Sequence, residues 1–245
     1  VFQQSELSVF GNGALDKHRS EKIRRLIIAI DGPAGSGKST IARLLAQRLG
    51  LTYLDSGALY RALTYMCMKT GVNLKDVAAV VSYFKTLDVE LLFDDGKQKV
   101  LANGQDITAE IRANEVTREV FYVAKEPAVR EEMFERQRKF REQGGLVAEG
   151  RDMGTVVFPD ADFKFYLDAS VEVRASRRHK ELLESGTHVL PEQLREEIAH
   201  RDKTDIHREA GPLKVADGAA VIDTSEMTIG EVLDAIMAKI KKETR

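Results

Sequence analysis

The chain has 245 residues, 43% of them hydrophobic, which is enough to bury the core of one α/β body, and its formal charge of −2 gives no global positive field to hold nucleic acid. No apolar run is long enough to span a bilayer, and residues 1–24 lack the apolar region of a secretory signal. The single cysteine, Cys67, lies in an apolar run and argues against disulfides, zinc sites and an oxidising compartment, so a cytoplasmic protein with an inert thiol is expected.

Residues 1–24, rich in Gln, Ser, Asn, Gly and charge, show no sustained period and are read as a mobile tail before a domain over 25–245. From Leu26 on, short apolar runs alternate with helical patterns: Leu26–Ile30, Leu51–Leu54, Leu146–Ala148, Phe163–Leu167 and Ala219–Ile222. That alternation predicts an α/β fold, a doubly wound sheet of five parallel strands with helices on both faces. About ninety residues separate the second run from the third, too many for one crossover helix. They hold Val89–Phe93 and Lys99–Ala102 around the turn Asp94-Asp95-Gly96, so an inserted lobe over about 71–130 with an antiparallel hairpin is expected. A helix from Pro127 to Gln143 should bury Val129, Met133 and Phe140 and leave most of Arg130, Arg136, Arg138 and Arg141 as surface charge. A helical stretch from Val171 to Leu183 breaks at Glu184-Ser185-Gly186, and Pro191 opens another reaching about Arg201. This pair is a candidate lid over about 174–195.

Gly32-Pro33-Ala34-Gly35-Ser36-Gly37-Lys38-Ser39 satisfies the phosphate-loop pattern between an apolar strand and an amphipathic helix, with Thr40 following. Its glycines let backbone N–H groups converge on phosphate oxygens, and the helix starting near Lys38 adds its positive end. Lys38 should reach the β- and γ-phosphates of ATP, and the Ser39 hydroxyl should bind Mg²⁺. The chain has no Asn-Lys-x-Asp run to read guanine. Phe165-Tyr166-Leu167-Asp168 ends in a carboxylate, but Ala169 follows where a motor ATPase would carry a catalytic Glu, so an ATPase or nucleotide switch stands second.

At the end of the second strand, Asp55-Ser56-Gly57-Ala58-Leu59-Tyr60-Arg61 occupies the ligand edge of a doubly wound sheet, with Ser56 placed to cap a helix that carries Arg61. Residues 201, 205 and 208 fall at i, i+4 and i+7, one face of a helix if it runs through Thr204; the spacing alone also fits a plain Arg201–Asp205 salt bridge.

With the phosphate loop, this segment, Glu110-Ile111-Arg112 and the run from Glu149-Gly150-Arg151-Asp152-Met153-Gly154-Thr155 to Pro159, the chain resembles the bacterial cytidylate kinases over roughly Leu26 to Lys241. The resemblance implies transfer of the γ-phosphoryl group of ATP to CMP or dCMP. It implies that Arg61, Arg151 and Arg201 hold the acceptor phosphate, that Asp205 and Arg208 face its ribose, and that Arg130 and Asp152 read the base beside Asp55 and Ser56. Lys38, Arg151 and the lid arginines Arg174 and Arg177, with Arg178 the weakest candidate, are the implied catalytic groups. Phe121 departs from the family, standing where a serine usually touches the base. Cytosine suits the pair chemically, because a carboxylate accepts from its N4 amino group and an arginine serves N3 and O2.

The acceptor phosphate is already anionic near neutral pH, so no base is needed; His18, His179, His188, His200 and His207 show no ligand or triad spacing. Catalysis should come from in-line positioning and charge neutralisation, with lid closure excluding water. Small-molecule substrates, no nucleic acid, no membrane and a monomer are the expected partners and state.

Overall fold

Ile27 and Ala29 of the first strand point into one hydrophobic cluster and Ile28 and Ile30 into another, so this strand is buried on both faces. Such a strand reads as a continuous apolar run and must lie inside a covered parallel sheet. The computed structural model describes residues 23–94, 97–184, 186 and 189–244. In it β1 (Ile27–Asp31) is central, followed by α1 (Lys38–Leu49), β2 (Thr52–Asp55) and α2 (Ser56–Thr70). After the intervening segment come α5 (Pro127–Arg138), β6 (Leu146–Gly150), β7 (Phe163–Asp168), α6 (Val171–Glu184), α7 (Pro191–His207), β8 (Ala220–Asp223) and α8 (Ile229–Glu243).

The five-stranded sheet has the order β2-β6-β1-β7-β8, parallel at every pairing, as the five apolar runs predicted. Ile41 and Leu45 of α1 and Ile236 and Ile240 of α8 cover one face; Leu63 of α2 and Val129 and Met133 of α5 belong to the cluster on the other. Each such side chain contributes about 1.5–3 kcal/mol when fully buried. The chain leaves β1 toward β2 on one side, while β6 and β7 flank it, so a crevice opens outside the carboxyl ends of these strands.

Between α2 and α5 lie α3 (Val77–Thr86), the antiparallel strands β3 (Val89–Asp94), β4 (Lys97–Ala102) and β5 (Gln105–Asp106), and α4 (Asn114–Ala124). The expected hairpin is there, with Val89 opposite Ala102 and Asp94 opposite Lys97; of its turn, residues 95 and 96 fall outside the described residues. β4 begins two residues earlier than expected because Lys97 and Gln98 keep register with β3 despite their polarity. A second hairpin, not foreseen, turns at Asn103-Gly104, where both φ angles are positive (49° and 74°), the signature of a tight two-residue turn. Phe93 packs edge-on against Tyr53 with centroids 5.4 Å apart, tying this sheet to β2.

Four sequence expectations need correction. Asp55, not Ser56, caps α2: its backbone is extended and its carboxylate accepts from the Ala58 N–H at 2.8 Å, while Ser56 is already helical. The helix from Pro127 ends at Arg138 and continues as a 3-10 turn over Lys139–Gln143. Nor are its arginines mostly solvated. Arg130 is 1% exposed, Arg136 donates to the carbonyls of Phe84 in the last turn of α3 and of Leu87 just beyond it, where a cation also suits the helix dipole, and Arg138 donates to Val156 and Val157. The helix from Pro191 runs on to His207, beyond the expected Arg201.

Gly32 carries the chain from β1 into its loop at φ 149°, and a Cβ there would lie 2.0 Å from the Leu167 carbonyl oxygen of β7. Gly32→Ala should therefore destabilise the protein by at least about 2 kcal/mol, through strain and a backbone clash together. Denaturant unfolding measures it; a variant within about 0.5 kcal/mol of wild type would show that the loop does not pass β7 so closely.

Candidate active site

At the carboxyl ends of the sheet lies a cleft of about 1600 Å³, lined by the phosphate loop, the ends of β2 and β6, and residues of α2, α4, α6 and α7. Its floor is the phosphate loop, where Gly35 and Gly37 hold φ at 78° and 89° so that the chain can wrap toward the N-terminus of α1. Ala34–Thr40 line the cavity. Lys38 is 4% exposed and its Nζ donates to the Pro33 carbonyl at 2.7 Å. Burial, then the charge of Arg151, push Lys38 down to about 7, with Glu149 and Asp31 pulling the other way.

Ser39 donates through Oγ to Glu149 Oε1 at 2.6 Å. Sequence reading quoted Glu149 in a motif but gave it no role. The sheet register pairs it with Ile30, which sets its carboxylate beside the phosphate loop, and burial raises its pKa. The available signal was its place at the carboxyl end of an apolar strand; that strand lies next to β1, which sequence order conceals. Asp168, weighed for the metal side, is exposed at the end of β7 and accepts from its neighbour Ala169 N–H.

The run after β6 folds into a single π-helical turn, Met153–Val157. Asp31, the last residue of β1, accepts from Met153 N–H at 2.8 Å and Gly154 N–H at 2.7 Å and so holds that turn from the neighbouring strand. Burial raises the Asp31 carboxyl to about 7 against the effect of these two bonds. This clasp aims Arg151 and Asp152 into the cleft. Arg151 donates through Nε to Asp205 Oδ2 at 2.8 Å, and Arg151 together with Arg201 holds the Asp205 carboxyl below its ordinary range against burial. The bland alternative for residues 201 and 205 therefore does not arise: Asp205 pairs with Arg151 and with Arg208, at 3.4 Å, while Arg201 stands in the cleft, lowered to about 10 first by desolvation and then by Arg151.

Deeper in, Arg130 and Asp152 form an ion pair with side chains 1% and 2% exposed; Arg130 also donates to the Ala124 carbonyl at 2.8 Å, and Arg208 NH2 lies 3.8 Å from Asp152 Oδ1. Gly211 closes over this pair at φ 57°, with room for no side chain, since a Cβ would lie 2.0 Å from Asp152 Oδ2. Asp55 pairs with Arg61 at 3.1 Å, and Ser56 Oγ accepts from the Gln137 amide at 2.8 Å. On α4 the cavity is lined by Thr117, Val120 and Ala124, whereas Phe121 is 42% exposed against Tyr122 and Lys125.

Of the expected lid arginines, Arg177 and Arg178 line the cleft and Arg174 does not. Arg174 is 3% exposed and spends its guanidinium on the carbonyls of Ala169 and Ala34 and on Asp202 Oδ2, at 2.9, 3.1 and 2.6 Å, bracing the phosphate loop from behind. The structure therefore sets Arg174 behind the loop, with three of its five N–H donors on partners within the protein. Arg177 donates to Thr224, which in turn donates to Ser36 O or Asp168 O. Among the histidines, His18 and His188 fall outside the described residues, and His207 Nδ1 lies 2.7 Å from the Lys203 carbonyl.

Residues 28–242 match the family model described as cytidylate kinase. The chain is 50% identical over 214 residues to a cytidylate kinase of Geobacillus thermodenitrificans, covering 87% of this chain and 96% of that one. It is 45% identical over 222 residues to a cytidylate kinase of Bacillus subtilis, covering 91% and 99%.

The depressed pKa of Lys38 makes a prediction about stability. Between about pH 7 and the ordinary lysine value of 10.5, the unfolded chain holds this proton and the folded chain does not, so stability rises with pH across that window. Below pH 7 the fold bears the whole cost of a buried charge. Lys38→Met should therefore raise the melting temperature of the ligand-free protein, most at pH 6, with the gain shrinking toward pH 9.5. Calorimetric scans across that range test it, and a gain that grew with pH would contradict the assignment.

Proposed function

The chain belongs to the cytidylate kinase family, and we propose that its cleft receives ATP on the phosphate loop and the acceptor monophosphate between Arg61 and Asp152. It is an ATP-dependent phosphotransferase that converts CMP or dCMP to CDP or dCDP, with ADP as the other product. The observation that supports the site assignment best is the convergence, in one cavity, of a phosphate loop, the cations Lys38, Arg151 and Arg201, and a buried Arg130–Asp152 pair.

In this reading Gly32–Thr40 cradle the β- and γ-phosphates and Lys38 follows the moving charge. Arg61, Arg151 and Arg201 hold the acceptor phosphate, arginine being suited by its planar fork and permanent charge. Asp205 and Arg208 face the sugar, and Asp55 and Ser56 border the acceptor. Arg177 steadies the wall beside Ser36, and Arg174 is a positioning residue that fixes the loop through Ala34. A Mg²⁺ ion suits the hydroxyl of Ser39 and the carboxylate of Glu149, because that ion takes oxygen ligands and is usually held by one or two protein groups with phosphates and water. When bound, it would neutralise charge on the β- and γ-phosphates. No side chain has to remove a proton from the acceptor, which attacks as an anion.

Residues 71–130 act as the monophosphate-binding lobe and 174–195 as a lid whose closure keeps water from the γ-phosphate. The protein is read as a monomer working in the cytoplasm, where ATP is supplied. Among the described residues no helix is long and apolar enough to cross a membrane. Offering CMP, dCMP, UMP, AMP and GMP in turn, with ATP and Mg²⁺ and ADP release followed, tests the reading. Preferential turnover of CMP and dCMP is the expected result, and acceptor-independent ATP hydrolysis would overturn it.

The base-reading role of Asp152 has a sharper test. Deleting the side chain would leave Arg130 buried with neither a countercharge nor an acceptor and risk unfolding, so Asp152→Asn, whose Oδ1 still accepts from Arg130, is the milder and more informative change. It keeps the shape and removes the charged acceptor for the N4 amino group. The ratio of kcat/KM for CMP to that for UMP should fall about ten- to two-hundredfold, equivalent to about 1.5–3 kcal/mol. Equal slowing of both substrates would move Asp152 to the phosphate side.

A further inference from the structure

Tyr60 stands one residue before Arg61 on the first turns of α2, lines the cleft and is 6% exposed. The Arg130 guanidinium lies 5.3 Å from its ring centroid, which fixes the ring beneath the ion pair. Its hydroxyl is buried and has no hydrogen-bond partner among the described residues. Arg130 gives NH1 to Ala124 O and NH2 to Asp152, and Asp152 is shared between Arg130 and Arg208, while Arg130 Nε and Arg208 NH2 are, like the hydroxyl, buried without a hydrogen-bond partner among the described residues. An unpartnered buried hydroxyl costs free energy, so a protein that retains one next to a ligand cavity has a use for it there. Desolvation, with Asp152 nearby, pushes the phenol far above its ordinary value despite the arginines. It therefore remains protonated at working pH and able to donate.

We propose that Tyr60 is a substrate-binding residue whose hydroxyl donates a hydrogen bond to the carbonyl O2 of the acceptor's pyrimidine. The proposal rests on the reading of this cleft as the monophosphate site. The carboxylate of Asp152 suits an amino donor, whereas a protonated phenol supplies a donor for an acceptor atom, and O2 is the base acceptor that cytosine and uracil share in the same form. Tyr60 thus strengthens binding of pyrimidines without choosing between them, and Asp152 makes the choice.

Tyr60→Phe separates this role from a structural one, because it removes only the hydroxyl and keeps the ring against Arg130. Relieved of an unpaired polar atom, the ligand-free variant should melt at or above the wild-type temperature. Its KM for CMP and for UMP should both rise about three- to tenfold, the range a neutral hydrogen bond supports, with their ratio and the KM for ATP unchanged. An unchanged KM for CMP would mean that the hydroxyl meets only water and would overturn the proposal. A changed CMP to UMP ratio would place the contact at position 4 of the base and overturn it too, as would a lowered melting temperature with the KM for ATP raised alongside. If the wild-type protein failed to phosphorylate CMP, the assignment of the cleft itself would fall. Wild-type turnover of CMP with an unchanged KM in the variant would sink only the role of Tyr60.

Discussion

The gathering of Lys38, Arg151 and Arg201 along one cleft is the constraint to which the rest of the site answers. Burial lowers the pKa of Lys38 and Arg201, and the charge of Arg151 lowers both further. The fold tolerates this because carboxylates are brought in from separate strands and helices: Asp31 from β1, Glu149 from β6 and Asp205 from α7. Each lowers the local potential without filling the space between the cations. A phosphate held among these cations would offset the repulsion between them.

How the sequence carries this arrangement differs from part to part. The phosphate loop and the five strands were legible because each rests on local pattern: buried runs such as Ile27–Ile30 and a fixed glycine spacing. The face holding Arg201, Asp205 and Arg208 was legible from helical periodicity, once the helix was granted its full length to His207. The Asn103-Gly104 hairpin carries a local dipeptide signal, but the strand it pairs, Gln105–Asp106, is two polar residues long and shows no period of its own. Phe121 marks the limit of reading by position along the chain: helical phase turns Val120 and Ala124 to the cavity and leaves Phe121 at the surface.

What escaped sequence reading is the set of contacts between distant residues. Glu149 meets Ser39 across 110 positions, Asp31 meets Gly154 across 123, and Arg174 meets Ala34 across 140. None of these has a local period, since strand order in the sheet decides them. Arg174 is instructive because its residue type and its helix were anticipated while its direction was not. A guanidinium with three separate partners in the protein braces the floor of the site from behind.

The bare backbone of Gly211 against Asp152 and Arg130 bears on how this pocket can change. One wall around the Arg130–Asp152 pair has no side chain to vary, and any replacement there would displace the pair. Change in this part of the cleft is therefore cheaper on α4, where Val120 and Ala124 line the cavity with apolar side chains whose volume can grow or shrink.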